Sequence, residues 1–247
     1  MESFIDRLRV VAPETPSAMM RPAGFFLAGS GVLTVAFDGF TPGLRALKTA
    51  LSEGLRGEDP GSLWPKVTLA ALTGKEPLSL SELQCVWRAT EQAGSLLAAE
   101  PCFVLVDQVW AVEALVKSLE LTGATTSFPL ASSTESEVEQ SHREYVGEVL
   151  GQWNANPSAA YLAELGKSGH RREHYQRPCR ATSLVSYVPD NIPGLSDLEE
   201  RLSRVLPGRF HWFESASRHL TIRTLDPVPQ TSEFEAVEFF SEDNFES

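Results

Sequence analysis

The sequence predicts an α+β fold with two pseudo-symmetric lobes, in which antiparallel sheets line a central cleft and helices pack outside. Three observations predict this fold. The composition is typical of a globular protein, with 42% apolar and 22% charged residues in a chain of 247. A strand–helix–strand pattern occurs twice along the chain. Each copy ends on a strand that carries a polar side chain two residues before a threonine.

The first copy begins with the apolar run Val32–Phe37, which is typical of a buried strand. Pro42 then opens a helical pattern with leucines along one stripe, and Lys66–Leu72 predicts the second strand. Side chains alternate between the two faces of a strand, so Lys66 and Thr68 are expected to share a face. The leucine stripe consists of Leu44, Leu47, Leu51 and Leu55.

The second copy has the same order of elements. Ser183–Val188 predicts a strand, Pro193 opens the helix, and the segment Arg218–Leu225 alternates polar and apolar residues as a half-buried strand does. His219 and Thr221 therefore share one face of this last strand. Superposing the Pro-Gly-Leu starts of the two helices aligns them. The second leucine stripe consists of Leu195, Leu198, Leu202 and Leu206.

With Lys66-x-Thr68 in one copy and His219-x-Thr221 in the other, the chain resembles the two-histidine (2H) phosphoesterase superfamily of RNA-ligase-like and cyclic phosphodiesterase proteins. The resemblance implies that His219 acts as an acid or base and that both threonine hydroxyls hold a phosphate. Lys66 stands where the family has its first histidine. The resemblance covers roughly residues 30–120 and 179–226.

The lysine at this position changes the expected chemistry. An imidazole with a pKa near 6.5 can serve as base or acid at neutral pH, whereas an ordinary lysine, with a pKa near 10.4, is protonated there. His219 would then be the sole base, and Lys66 would neutralise the phosphate or protonate the leaving oxygen. Losing one acid–base group costs about 10²–10⁴-fold in rate. Alternatively, Lys66 is an ordinary surface residue at a strand end.

The resemblance thus implies a 2′,3′-cyclic phosphodiesterase-type hydrolase with weakened or altered chemistry and no cofactor. Its ligand would be a small nucleotide or an RNA-terminal phosphate. The alternative is a catalytically degenerate protein of the same fold that binds partners through an insertion at 122–178 and an acidic tail at 227–247. Further substrate contacts are expected from basic residues beside the histidine and in a basic segment at 167–177, although charge runs are often only solvated loops. These residues are Arg218, Arg223, Arg171, Arg172 and His174, and no metal set is visible among them.

The other segments are assigned by composition. Residues 1–29 are predicted to be an arm that packs or frays, and residues 30–226 a single bilobal domain. Within that domain, residues 30–121 form lobe one, 122–178 an insertion and 179–226 lobe two. Residues 227–247 alternate acidic and aromatic side chains, which predicts either a solvated tail or a docking segment for a protein partner.

Local patterns predict further elements. Ser79 is expected to cap a helix, with Glu82 completing a capping box. A buried strand is predicted at Phe103–Val106, a helix from Ala111, and a mobile Ser/Thr/Glu-rich loop over Thr125–Glu139. Two short helices are predicted at Glu144–Leu150 and Pro157–Leu165.

Bulk properties restrict the class of protein. A net charge of −12 argues against broad, sequence-independent binding to nucleic acid. The three cysteines are widely spaced, which favours reduced thiols in an intracellular compartment, most simply the cytoplasm, with an organelle as the alternative. The sequence contains neither a signal-peptide pattern nor an apolar run long enough to span a bilayer, so no membrane association is expected.

Overall fold

The fold is described from a computed structural model. The structure describes residues 2–51, 64–73, 78–117, 120–122, 125–155, 158–167 and 180–224. Within these ranges the fold is α+β, as predicted, and its sheets are mainly antiparallel. The tail at 227–247 and most of the basic segment at 167–177 lie outside the described residues.

Two sheets are built from twelve strands in the described part of the chain. In chain order the strands are β1 (Pro16–Met20), β2 (Pro22–Leu27), β3 (Val32–Phe37), β4 (Lys66–Leu72), β5 (Val104–Val106), β6 (Gln108–Lys117), β7 (Glu120–Thr122), β8 (Thr125–Pro129), β9 (Ala131–Glu135), β10 (Arg180–Tyr187), β11 (Phe210–Trp212) and β12 (His219–Thr224).

Nine of these strands form the large sheet, which joins both halves of the chain. Seven of the nine follow one path in the order β2-β3-β4-β12-β10-β6-β7, while β11 pairs with β4 and β8 pairs with β6. The second sheet has three strands in the order β5-β1-β9, with β1 antiparallel to β5 and parallel to β9.

The helices pack around these sheets. They are α1 (Glu2–Val11), α2 (Pro42–Ala50), α3 (Leu80–Ala99), α4 (Gln140–Asn154), α5 (Ala159–Lys167) and α6 (Leu195–Val205). Helix α3 packs against both β2 and α6, and so links the first half of the chain to the second.

The main hydrophobic core lies between the large sheet and its helices. Val67 on β4 and Leu220 on β12 are buried in it, together with the predicted leucine stripes of α2 and α6 as far as they are described. A separate small cluster of Val112, Val185 and Trp110 packs elsewhere on the sheet. At β6 and β10 the sheet thus has one face in the main core and a second face that carries this smaller cluster.

Many predicted elements are confirmed within a few residues. Both strand–helix–strand patterns are present as β3-α2-β4 and β10-α6-β12. Helix α3 begins with the predicted capping box: Ser79 Oγ accepts a hydrogen bond from the Glu82 N–H at 3.2 Å, and Glu82 Oε2 accepts one from the Ser79 N–H at 2.7 Å. Helices α4 and α5 include most of the two short helices predicted there.

Two local predictions are wrong. The helix predicted from Ala111 is strand β6, which is hydrogen-bonded to β10 along most of its length, so that sheet pairing overrides the helix-forming residues in this run. The predicted mobile loop Thr125–Glu139 contains β8 and β9, which pair with β6 and β1 and therefore belong to the two sheets. Of the two alternatives left open for the N-terminal arm, the structure shows the packed one: this segment contributes α1, β1 and β2, and its Met20 and Phe25 are buried in the core.

Candidate functional site

The site is built where strand β4 of the first half meets strand β12 of the second. These strands are antiparallel neighbours, and Leu220 pairs directly with Val67. One step along each strand in opposite directions places His219 opposite Thr68 and Thr221 opposite Lys66. Lys66, Thr68, His219 and Thr221, hereafter the polar quartet, therefore share the face opposite to that of Val67 and Leu220.

The spacing within the polar quartet follows from sheet geometry. Directly opposed residues have Cβ atoms about 4.5–5.5 Å apart, and diagonal neighbours such as Lys66 and His219 about 7–8 Å. All four side chains are partly exposed. The pairing therefore places an imidazole, an ammonium group and two hydroxyls on one patch of the sheet.

Two lines of side chains cross the sheet through the quartet. The pairing of β2, β3, β12 and β10 continues the line through Thr68 and His219 to Thr34 and Phe26 on one side and to Tyr187 on the other. The line through Lys66 and Thr221 continues to Ala36, Val185 and Trp110. The polar quartet is thus bordered by Thr34 and Ala36 on the β3 side and by Tyr187 and Val185 on the β10 side.

His219 is held in one tautomer by its own turn. Its Nδ1 lies 2.7 Å from the carbonyl oxygen of Ser217. A carbonyl oxygen can only accept, so Nδ1–H donates, and in the neutral ring Nε2 keeps its lone pair. Burial lowers the pKa of His219, while the hydrogen bond to Ser217 raises it, and the burial effect is the larger. The ring is therefore neutral at pH 7, with Nε2 able to accept a proton.

Lys66 is oriented by an aromatic neighbour. Its Nζ lies 4.8 Å from the ring centroid of Trp64, a cation–π distance. Trp64 is buried and packs against Phe26, with ring centroids 5.8 Å apart. The ammonium group therefore has a rigid aromatic support at the entrance to strand β4.

Sequence reasoning missed the aromatic residues around His219. Tyr187 lies directly opposite His219 on β10. Its ring makes an edge-on contact with Trp110 at 4.9 Å between centroids, and Phe213 makes a similar contact with His219 at 6.5 Å. Burial raises the pKa of Tyr187 further above neutrality, and its phenol is a hydrogen-bond donor at pH 7. The alternation of Ser183, Val185 and Tyr187 was the signal that could have placed this tyrosine beside the site.

The structure does not bring Arg218 to the polar quartet. Arg218 is buried, with Nη1 2.9 Å from Asp190 Oδ1 and Nη2 2.7 Å from Glu199 Oε2. It precedes His219 on the chain and points to the opposite side, because neighbouring residues of an extended segment alternate. Two carboxylates thus occupy the guanidinium for which the sequence predicted a contact with the substrate.

Arg223 is also placed away from the quartet. A register shift between β10 and β12 pairs Leu184 with Arg223 but Val185 with Thr221, which interrupts the alternation that would carry Arg223 to the same face. Its buried side chain donates through Nη1 to the carbonyl of Lys48, in the last turn of α2, at 3.4 Å. A cation at a helix C-terminus is favourable there.

The remaining predictions about the site concern other parts of the chain. Arg171, Arg172 and His174 lie outside the described residues. Among the described residues, no three His, Cys, Asp or Glu side chains are grouped so as to hold a metal ion. The described helices include none with the length and hydropathy needed to cross a membrane.

Comparisons of the chain with protein-family models, with curated proteins and with solved structures found no match. The function is therefore inferred from the residues of the site itself.

Proposed function

We propose that the chain binds and slowly hydrolyses a phosphoester, either a cyclic nucleotide or an RNA-terminal phosphate, over the polar quartet. The observation that carries this proposal is the pairing of β4 with β12, which brings Lys66 and Thr68 from one half beside His219 and Thr221 from the other. The combination of a neutral imidazole, a cation and two hydroxyls fits a phosphoester better than an uncharged ligand.

The sheet order supports a 2H-like arrangement of two related lobes. The strands of β3-α2-β4 and those of β10-α6-β12 are adjacent as pairs, and the two pairs meet at β4 and β12. In the order β3-β4-β12-β10, the second strands of the two patterns, β4 and β12, are therefore neighbours at the centre, and the first strands, β3 and β10, flank them. In this proposal one lobe contributes Lys66 and Thr68 to a shared cleft, and the other contributes His219 and Thr221.

The proposed reaction uses both halves of the quartet. Nε2 of His219 takes a proton from a water molecule, and the water oxygen attacks phosphorus in the cyclic ester. The P–O bond to one ribose oxygen breaks, and that oxygen takes a proton from the Lys66 ammonium group. The hydroxyls of Thr68 and Thr221 donate to the phosphate oxygens. Solvent exchange afterwards removes the proton from His219 and restores the one lost by Lys66.

Hydrolysis of 2′,3′-cyclic nucleotides tests the proposal. Substituting His219→Gln should lower kcat/KM by about 10²–10⁴-fold, the usual contribution of a general base. The matched control is His211→Gln, an exposed histidine on β11 that lies outside the quartet, and it should keep wild-type activity. The proposal fails if His219→Gln behaves as wild type, or if the wild-type protein neither hydrolyses these compounds nor binds a phosphate mononucleotide.

The second candidate function is that of a catalytically degenerate 2H-fold interaction protein. It is favoured by one observation, the lysine at position 66, because the cation–π contact with Trp64 makes that side chain better suited to holding an anion than to shuttling protons. This candidate predicts binding of a phosphate mononucleotide without turnover. Pull-downs that compare the full chain with a chain ending at Leu225 would then test the contribution of the tail. Identical partner profiles would show that the tail has no role in partner binding.

A further inference from the structure

The turn that precedes β12 is anchored on both sides of Ser217 by a single carboxylate. Asp190, in the connection between β10 and α6, accepts a hydrogen bond from Ser215 through Oδ2 and pairs through Oδ1 with Arg218. Ser215 lies two residues before Ser217, and Arg218 directly follows it. Asp190 thus bridges the residues that flank the carbonyl on which His219 depends.

Further contacts fix the same turn. The Ser217 N–H donates to the Glu214 carbonyl at 2.8 Å, and the Arg218 N–H donates to the Ser215 carbonyl at 3.2 Å, which closes a turn of 3₁₀ helix. Nη2 of Arg218 donates a hydrogen bond to Oε2 of Glu199 on α6 at 2.7 Å. Helix α6, the β10–α6 connection and the start of β12 are therefore joined through one buried guanidinium.

We propose that Asp190 and Arg218 are positioning residues that hold the Ser217 carbonyl against Nδ1 of His219 and so keep Nε2 as the unprotonated nitrogen of the neutral ring. The inference rests on the proposed function, because it concerns the same imidazole. The hydrogen bond between the Ser217 carbonyl and Nδ1 of His219 is present without a substrate. It also gives Arg218 a role that replaces the predicted contact with a ligand.

The position of the Ser217 carbonyl determines which ring nitrogen of His219 carries the proton. With the carbonyl in place, the Nδ1–H tautomer is stabilised by a hydrogen bond at 2.7 Å. If the turn is released, the proton can move to Nε2, and Nε2 then becomes a donor that cannot act as a base. The titratable groups that face the ring from the neighbouring strands are Lys66 on β4 and Tyr187 on β10, and substitutions in the turn leave both unchanged.

The experiment measures the tautomer of His219 directly by long-range ¹H–¹⁵N NMR of the full-length protein above the pKa of the ring. The signals are assigned by comparison with His219→Gln. Wild type should show Nδ1–H. Asp190→Ala should shift the tautomer ratio toward Nε2–H by roughly fivefold, the factor that corresponds to one hydrogen bond. It should also lower the pKa of His219, because the hydrogen bond to Ser217 raises it.

Two further variants make the result specific. Ser215→Ala removes only the hydroxyl at an exposed position and leaves both ion pairs of Arg218 intact, so it tests the same bridge with little risk to folding. The matched control is Glu82→Gln, which weakens the ion pair of Glu82 with Arg209 at 2.9 Å, a pair that has no part in this turn. This control should leave the histidine signals unchanged.

The outcomes separate this inference from the proposed function. The inference is overturned if Asp190→Ala and Ser215→Ala both keep the wild-type tautomer and pKa, because the cluster would then be only a structural ion pair. If the wild-type protein hydrolyses no phosphoester but the tautomer shifts as expected, the positioning role stands and the proposed reaction fails. If the protein hydrolyses the ester and both variants leave the histidine signals unchanged, the reaction stands and the positioning role fails.

Discussion

Nδ1 of His219 lies 2.7 Å from the carbonyl oxygen of Ser217, two residues earlier in the chain. This relationship decides which nitrogen of the ring is available to a ligand, because the carbonyl uses the Nδ1 proton. The ring is also partly buried, and burial lowers its pKa. Tautomer and charge state together make Nε2 of His219 a proton acceptor at neutral pH.

The pH dependence of hydrolysis should follow this ring. A base must be neutral to act, so kcat/KM for a 2′,3′-cyclic nucleotide should rise with pH up to the pKa of His219 and then level off. That pKa lies below the ordinary histidine value of about 6.5, and the plateau should therefore already be reached at pH 7. The measurement is a pH–rate profile between about pH 4 and pH 8, an interval chosen to span this range.

His142 provides the control for that profile. Burial and the neighbouring charge of Arg45 also lower its pKa, but it lies on α4, outside the quartet. His142→Gln should leave the acidic limb of the profile where it is. A limb that moves in His142→Gln, or a wild-type limb above about pH 6.5, would contradict the assignment of His219 as the base.

Introducing an imidazole at position 66 should increase activity. Lys66→His places a second imidazole diagonally across from His219. Near pH 7 an imidazolium is a better general acid than an ordinary lysine. We expect kcat/KM to rise about 10²-fold, the lower end of the contribution of one acid–base group. The rise is measured in the cyclic nucleotide assay at pH 7.

Two other substitutions at position 66 test whether charge alone matters. Lys66→Arg keeps a cation over Trp64, whereas Lys66→Gln removes it. Binding of a phosphate mononucleotide should be kept in Lys66→Arg and weakened in Lys66→Gln. Equal affinity in all three proteins would remove Lys66 from the proposed site.

The sequence predicted the site strands well because their periodicity is local information. Alternation in the segment Arg218–Leu225 placed His219 and Thr221 on one face, and the register with β4 is consistent with that face. The pairing of Leu220 with Val67 could not be predicted in this way, since it joins segments far apart in the chain. The shift in register that removes Arg223 from the quartet is likewise a property of the β10–β12 pair.

The prediction for strand β6 failed for a related reason. Val109 and Val112 are both buried although they project from opposite faces, so the strand shows no alternation of polar and apolar residues. An apolar run of this kind cannot be distinguished from a buried helix by periodicity. Its two partner strands gave no further signal, because β10 is remote in sequence and β8 is poor in apolar residues. Arg218 shows the same limit, because its two carboxylate partners come from other elements.

A buried polar contact between α3 and α4 should contribute measurably to stability. The indole Nε1–H of Trp153 donates to Thr90 Oγ1 at 2.9 Å, and both residues are buried. Thr90→Val keeps the shape but leaves the indole N–H without its acceptor, which should lower the free energy of unfolding by about 1–3 kcal/mol. Urea unfolding followed by tryptophan fluorescence gives the value.

Thr49→Val is the control for this substitution. The Thr49 hydroxyl donates to the Arg45 carbonyl at 3.0 Å, but the residue is exposed, so water can replace the lost bond. Its cost should stay within about 0.5 kcal/mol. If both valine variants unfold at the same urea concentration, the Trp153–Thr90 bond adds nothing to stability.

The start of helix α6 depends on a glycine for two separate reasons. Gly194 has φ of +82°, and a Cβ built there would lie 2.5 Å from the carbonyl oxygen of Ala93 on α3. Gly208 has φ of +72° with no atom within 4 Å of such a Cβ. Comparing alanine at the two positions therefore separates the backbone cost from the steric cost. Gly208→Ala should lose about 1–2 kcal/mol, the cost of the left-handed conformation alone.

Gly194→Ala should lose more, about 3–4 kcal/mol, because the α3–α6 contact must also open to relieve the clash with a backbone atom. Urea unfolding measures both variants. The two predictions share one consequence for the site, since α6 also carries Glu199, which holds Arg218 beside the turn of His219. A displaced α6 should therefore alter the tautomer signal of His219 in Gly194→Ala and leave it unchanged in Gly208→Ala. Equal losses of stability in both variants would mean that the close approach of α3 and α6 is not a constraint on the fold.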